Sequence, residues 1–356
     1  MDDLLVKGKL NDQTFETKLS CVLRNSFYLQ WELNGTYQLQ LVALDDQQMD
    51  YELLEPEASL FFQGQEYLIK QVQSDYSNGL NTKTVNATHV SKECQWFRQR
   101  ETRNGVITYS PADVLGFVFN GNVAGFSFEV LSSFPTKQIE NFGNVSGQEA
   151  LNKLIEVWPD AVIVPDNRHI KVYSRNDFEI NRGHRIDYQA NASDIKITYD
   201  STSLSNQVWC IGKAKDKAEG APDNAPIEYF FDPFLVTIPD SINKYGIHEI
   251  ATISDERFTN PESMRNYAKS QLQPEPSFTI EITNDYQFQP FQGDLVRLEI
   301  RPAKFITNLA TVGFQYYPPG FNDPGQPTQL TLNSTPKTIL DYQNYTNGRI
   351  NSKSHQ

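Results

Sequence analysis

The segment Phe27-Tyr28-Leu29-Gln30-Trp31-Glu32-Leu33-Asn34-Gly35-Thr36-Tyr37-Gln38-Leu39-Gln40-Leu41 decides how the chain reads. Phe27, Leu29, Trp31 and Leu33 alternate with Tyr28, Gln30 and Glu32, and Tyr37, Leu39 and Leu41 alternate with Gln38 and Gln40. A period of two places one set on each face of a strand. Asn34-Gly35 lies between the runs and tolerates positive φ, so a hairpin with a type I′ turn is predicted over residues 27–43. Further strands are predicted from Ala58 to Phe62, Glu66 to Val72 and Thr82 to Thr88, with Gln63-Gly64-Gln65 as the turn between the first two. Short strands separated by turn residues predict a small barrel or sandwich.

The texture changes at Ser110-Pro111-Ala112-Asp113, where a capping serine, a proline in the first turn and an acid predict a helix and a domain boundary. Ser146-Gly147-Gln148-Glu149 is a capping box, and Ala150, Leu151, Leu154, Ile155 and Trp158 share a helical face up to Pro159. A helix is therefore predicted over 147–158. Strands from Ala161 to Val164 and from His169 to Tyr173 flank a turn at Pro165-Asp166-Asn167-Arg168, giving a small α+β unit over 111–190. Alternation returns at Ile195, and the stretch from Lys213 to Phe230, with two prolines and mixed charge, reads as an exposed loop. A second helix is predicted over 261–273, and strands resume from Phe278 to Asn333. The last residues are polar and read as a frayed end.

Length alone predicts two or three domains for 356 residues. Lys and Arg number 31 against 44 Asp and Glu, a net charge of -13, so the average surface repels phosphate and anionic lipid. The first residues lack a basic start with an apolar run, and no stretch approaches the ~20 apolar residues of a membrane span. The reading is a folded chain made in the cytoplasm with no membrane insertion. Cys21, Cys94 and Cys210 are odd in number and far apart, which excludes a disulfide framework or a paired-cysteine metal motif. His89, His169, His184, His248 and His355 form no metal-ligand spacing, and His89 with Cys94 lacks the local signatures of a thiol protease. Adjacent acids such as Asp45-Asp46 and Asp255-Glu256 point apart on extended chain and suit turns better than a glycosidase. Composition and motif together predict a β-rich protein with no catalytic residue, no cofactor and no metal site.

Several of these features also fall, in order, on the motifs of a known family. Leu33-Asn34-Gly35-Thr36-Tyr37-Gln38-Leu39 resembles the first hairpin of phage tail-associated proteins of the prophage tail endopeptidase family. Gly64-Gln65-Glu66-Tyr67-Leu68-Ile69-Lys70 is similar to a strand of the same family, and Ala87-Thr88-His89 to the segment that follows it. Ile139-Glu140-Asn141-Phe142-Gly143, the helix ending at Trp158 and the turn Asp166-Asn167 resemble its middle segment. Cys210-Ile211-Gly212-Lys213 and Gly293-Asp294-Leu295-Val296 resemble two later strands, with Cys210 in place of the usual glycine.

The resemblance implies the fold of the baseplate hub of contractile-tailed phages, mainly β with α+β insertions. Two similar small β-barrel domains are expected, at 1–110 and at 191–229 with 276–345. The α+β domain at 111–190 is expected to carry the 230–275 excursion, and 346–356 to be a polar tail. It further implies a homotrimeric ring at the virion tail tip, a distal tail protein ring above, the tape measure protein within, and DNA passing without specific binding. Longer members of the family carry endopeptidase, fibre or lysin segments after the hub, so the resemblance implies that any such activity belongs to a C-terminal segment absent from this chain and that the chain itself is no enzyme. Two other readings stand beside this one, a peptidoglycan hydrolase assembled only in three dimensions and a carbohydrate-binding adhesin displaying its aromatics.

Overall fold

The computed structural model describes residues 3–77, 79–190, 192–215, 226–284, 289–303, 305–323 and 326–333, with backbone alone at 193 and 284. The expected polar tail at 346–356, residues 334–345 of the expected second barrel and residues 216–225 of the expected loop lie outside them. The chain divides into two compact units, one running to Lys196 and resuming over Ile280–Asn333, the other covering Ile197–Thr279.

In the first unit the hairpin forms between Tyr28–Glu32 and Tyr37–Leu44, with Leu29 opposite Leu39 and Trp31 opposite Tyr37. Its turn is not type I′. Asn34 has φ 54° while Gly35 stays outside the positive region, and the Glu32 amide donates to the Thr36 carbonyl at 2.8 Å, closing a three-residue loop. The hairpin then enters one open sheet of 13 strands. Its path runs Ala192–Asp200, Ser277–Asn284, Thr328–Asn333, Phe305–Tyr316, Tyr28–Glu32, Tyr37–Leu44, Leu80–His89, Gln65–Ser77, Ser59–Phe62, Leu5–Leu10 and Gln13–Lys18. Leu295–Ile300 branches from Phe305–Tyr316 and pairs in parallel with Arg185–Asp187.

This overturns the two expected barrels, because among the described residues no sheet closes on itself. Tyr28–Glu32 gives one edge to Tyr37–Leu44 and the other to Phe305–Tyr316, where Trp31 faces Phe314 and Gln30 faces Gln315. Early and late strands thus share one sheet, and the early set cannot close onto Tyr28–Glu32 because Phe305–Tyr316 already holds that edge. A strand has only two hydrogen-bonding edges, and both edges of this one are occupied by different parts of the chain. The buried face carries Leu29, Trp31, Leu39, Leu41, Val85, Ala87, Phe314 and Leu330.

The α+β layer holds a helix at Pro111–Phe119, capped reciprocally by Ser110 and Asp113, and a helix at Gly147–Val157, capped by Ser146 and Glu149. They pack against a ribbon of Arg98–Tyr109 with Lys137–Ser146 and a three-stranded sheet ordered Ala161–Asp166, His169–Ser174, Ser127–Val130. Leu115, Phe119, Tyr109, Phe142, Leu151, Leu154 and Trp158 fill the core. In the second unit Gln207–Ile211 lies between Phe234–Thr237, antiparallel, and Glu249–Ser254, parallel. The helix Pro261–Gln271 lays Met264 and Ala268 on Val208, Cys210 and Val236. No helix among the described residues is long and apolar enough to cross a membrane.

Candidate functional site

Many motif residues of the first unit gather at two joints. At the first, the sheet meets the α+β layer through side-chain amides used as surrogate backbone. Asn34 Nδ2 donates to the Ala161 carbonyl at 2.9 Å, and its Oδ1 accepts from the Ile163 amide at 2.8 Å, so one side chain extends the edge of Ala161–Asp166. This contact explains the unexpected turn, since Asn34 must face the layer. From the other side, Asn167 (φ 52°) accepts the Glu66 amide on Oδ1 at 2.8 Å and donates Nδ2 to the Gly64 carbonyl at 3.0 Å. Arg168 reaches Glu66 at 2.9 Å.

Gln65 links this clasp to a buried imidazole. Its Oε1 accepts from the Asn167 amide at 2.8 Å and from His89 Nε2 at 3.1 Å. His89 Nδ1 in turn accepts from the Ser91 amide at 3.2 Å, which fixes the ring as the neutral Nε2–H tautomer. Tyr37 stacks on the ring at 4.3 Å and Tyr67 meets it edge-on at 5.2 Å. Burial, with Lys92 adding to it, pushes the His89 pKa down to about 3, so the ring carries no charge at neutral pH. Burial likewise pushes the Cys94 thiol up to about 12, the opposite of what a thiolate nucleophile requires. Neighbouring Ile69 is core, and Lys70 bridges Glu57 at 3.0 Å and Glu93 at 2.9 Å.

At the second joint, the backbone of Gly293-Asp294 ties the Phe305–Tyr316 strand to the segment leaving the α+β layer. Ile180 donates to the Gly293 carbonyl and Leu295 to the Ile180 carbonyl, both at 2.9 Å, while Thr311 donates to the Asp294 carbonyl at 2.9 Å. Gly293 sits at φ +67°, and a Cβ there would stand 2.7 Å from Phe178. The Asp294 carboxylate, 1% exposed, accepts from His184 Nδ1 and from the Arg182 amide at 3.3 Å.

The remaining motif residues stand apart from these joints. Asn141, Phe142 and Gly143 form the bulged part of the Lys137–Ser146 strand, where Asn141 Oδ1 accepts the Gly105 amide at 2.7 Å and Phe142 enters the core. A Cβ at Gly143 would stand 2.1 Å from the Glu101 carbonyl. Trp158 donates Nε1 to the Pro135 carbonyl at 2.7 Å. Gly212 and Lys213 belong to the second unit, where Lys213 pairs with Phe258 and Phe230 through the backbone. Sequence reasoning missed Gln65, Ser91 and His184 as partners; positive-φ asparagines at turns were the only signal that could have pointed to the clasp. Among the described residues no group of three or more His, Cys, Asp or Glu is placed to hold a metal ion.

The sequence matches the family described as "Prophage endopeptidase tail" over residues 180–343, its N-terminal domain over 4–89 and a further domain of the same family over 97–172. The chain belongs to the prophage endopeptidase tail family. Its fold is similar to that of the prophage tail protein gp18 from Listeria monocytogenes EGD-e, with 25% identity, a TM-score of 0.69 and coverage of 95% of this chain and 96% of that one. A 43 kDa tail protein of prophage MuSo2 from Shewanella oneidensis has 10% identity and a TM-score of 0.61, covering 93% and 98%. A tail protein from Neisseria meningitidis MC58 has 10% identity and a TM-score of 0.60, covering 93% and 97%. No curated protein matches the sequence. All three matched family segments meet at the joints or flank them, with Asn34, Gly64 and His89 from the first, Asp166 and Asn167 from the second, and Gly293 and Asp294 from the third.

Proposed function

We propose that this chain, a phage tail protein by its family, is a structural hub at the tip of a phage or prophage tail. In this reading three copies form a ring between the distal tail protein ring and the host-facing tip. The end of the tape measure protein sits within it, and DNA passes through it. The observation that carries the reading is the full-length likeness to a solved prophage tail protein together with three family segments in order. The joints support it, because their motif residues spend their polar atoms on holding layers together. A neutral buried imidazole and a protonated buried thiol suit a rigid part better than acid–base or nucleophilic work. The hub has no catalysis of its own in this proposal. An acidic chain, at net charge -13, resists phosphate, which suits a conduit.

Light scattering across a concentration series is the test. The subunit mass is 40.7 kDa, and a hub gives three times that value alone, or three copies of this chain per complex when mixed with the distal tail protein. A monomer under both conditions rejects the ring.

A further inference from the structure

The outward face of the large sheet carries two rows of uncharged side chains in strict cross-strand register. Gln329 stands opposite Gln315, Gln315 opposite Gln30, Gln30 opposite Gln38, and Gln38 opposite Thr88, so one row crosses five strands. Beside it Tyr28 stands opposite Gln40, Gln40 opposite Asn86, and Asn86 opposite Gln71. The amides also bond to one another. Gln38 Nε2 donates to Gln30 Oε1 at 3.0 Å, Asn86 Nδ2 to Gln71 Oε1 at 3.2 Å, and Tyr28 bonds Gln40. An amide can both donate and accept, so part of each row is bonded within itself, while Gln30 Nε2 also donates to Glu32 at 3.2 Å and Gln315 Nε2 to the Tyr317 hydroxyl at 2.7 Å.

This face is also concave at one end. Gln30, Gln315, Gln329 and Thr331 line a hollow of about 320 Å³, whose other walls include Glu32, Asp194 and Glu281, with Lys196 as the cation there. Solubility does not explain the pattern, because exposed sheet positions elsewhere take charges in the usual way, as Lys7 opposite Glu16 does. The chain has 31 lysines and arginines, and the two rows use none.

We propose, resting on the hub reading above, that this amide-lined concave face is the wall along which DNA slides. Phosphate binding is driven by cations that displace counterions, and a wall of uncharged side chains, several of them bonded to one another, offers a passing duplex no cation with which to make that exchange. The acids at the hollow add weak repulsion and keep the duplex off the sheet.

The test places cations in the rows and asks whether only threadable DNA finds them. Gln315→Lys with Gln329→Lys is the first variant, and Gln71→Lys with Gln329→Lys, both at exposed positions, is the second if the first fails to fold. Gln13→Lys with Glu16→Lys, on the edge hairpin, is the control. Native mass is measured for each, then binding to one duplex offered either linear or closed into a circle. The proposal expects trimers that bind neither form in the unsubstituted protein. The row variants should then gain at least tenfold affinity for the linear duplex alone, while the control does not discriminate. Equal binding of both forms by a trimeric row variant puts the face outside the bore and overturns the proposal, leaving the hub intact. Binding of neither form overturns it as well. A monomeric unsubstituted protein fails the hub reading itself, and the wall falls with it.

Discussion

Acid should loosen the first joint through His89, and the size of the effect follows from its setting. The folded ring has a pKa of about 3, and an unfolded histidine titrates near 6.5. Between those values the unfolded chain takes up a proton that the folded one refuses. The contribution of neutral His89 is therefore complete above about pH 6.5 and is lost as pH falls toward the folded value. Between pH 6 and pH 4 the loss is about 2.5 kcal/mol from this residue. Protonation would turn Nδ1 from acceptor to donor against the Ser91 amide and put charge beside Lys92, an effect that Asp166 opposes but does not outweigh. The assay is urea-dependent hydrogen exchange of the strands Tyr37–Leu44 and Leu80–His89 at both pH values, in the unsubstituted chain and in His89→Gln. Glutamine can still accept from Ser91 and donate to Gln65, but it does not titrate, and the carboxylates common to both proteins cancel in the comparison. The unsubstituted chain should lose about 2 kcal/mol more than the variant on acidification. Equal losses would refute the claim that a buried neutral imidazole holds this joint.

Replacing Asn167 separates its two contributions. Asn167→Ala removes both side-chain bonds and strains a residue at φ 52°, whereas Asn167→Gly loses the bonds alone, so thermal unfolding should rank them with alanine about 1 kcal/mol worse. Gly293→Ala combines a left-handed backbone with a contact at 2.7 Å to Phe178, and a loss of about 3 kcal/mol or failure to accumulate as soluble protein is expected. Cys21, Cys94 and Cys210 are all buried with thiols held above their ordinary range, so a thiol reagent at pH 8 should label none in the native protein and all three in urea. Fast labelling of Cys94 without urea would contradict its placement in the core.

Local signals survived the passage from sequence to structure where the physics is local. The two capping boxes start their helices at Pro111 and Gly147, and period-two alternation in Tyr28–Glu32 and Tyr37–Leu44 assigns the buried and outward faces. Alternation says which face a residue takes and nothing about which strand lies beside it. The two barrels implied by the resemblance therefore had no check in the alternation, and the structure has one open sheet instead. The pairing of Trp31 with Phe314 joins residues nearly the whole chain apart, and no spacing rule encodes it.

The joints were hidden for a related reason. Asn34 and Asn167 read as ordinary turn residues, since asparagine tolerates positive φ and is common there. Their side chains nevertheless bond backbone more than a hundred positions away, a use that turn preference masks. His89 and Asp294 illustrate the other half of the argument. A histidine and an aspartate invite a search for catalysis, yet the His89 nitrogens face Ser91 and Gln65, and the Asp294 carboxylate faces His184 and the Arg182 amide. Buried polar groups must find partners or cost stability, so burying them at a layer boundary makes the orientation of the layers specific in a way apolar packing alone would not. In this chain the residues most readily suspected of chemistry hold the architecture in place.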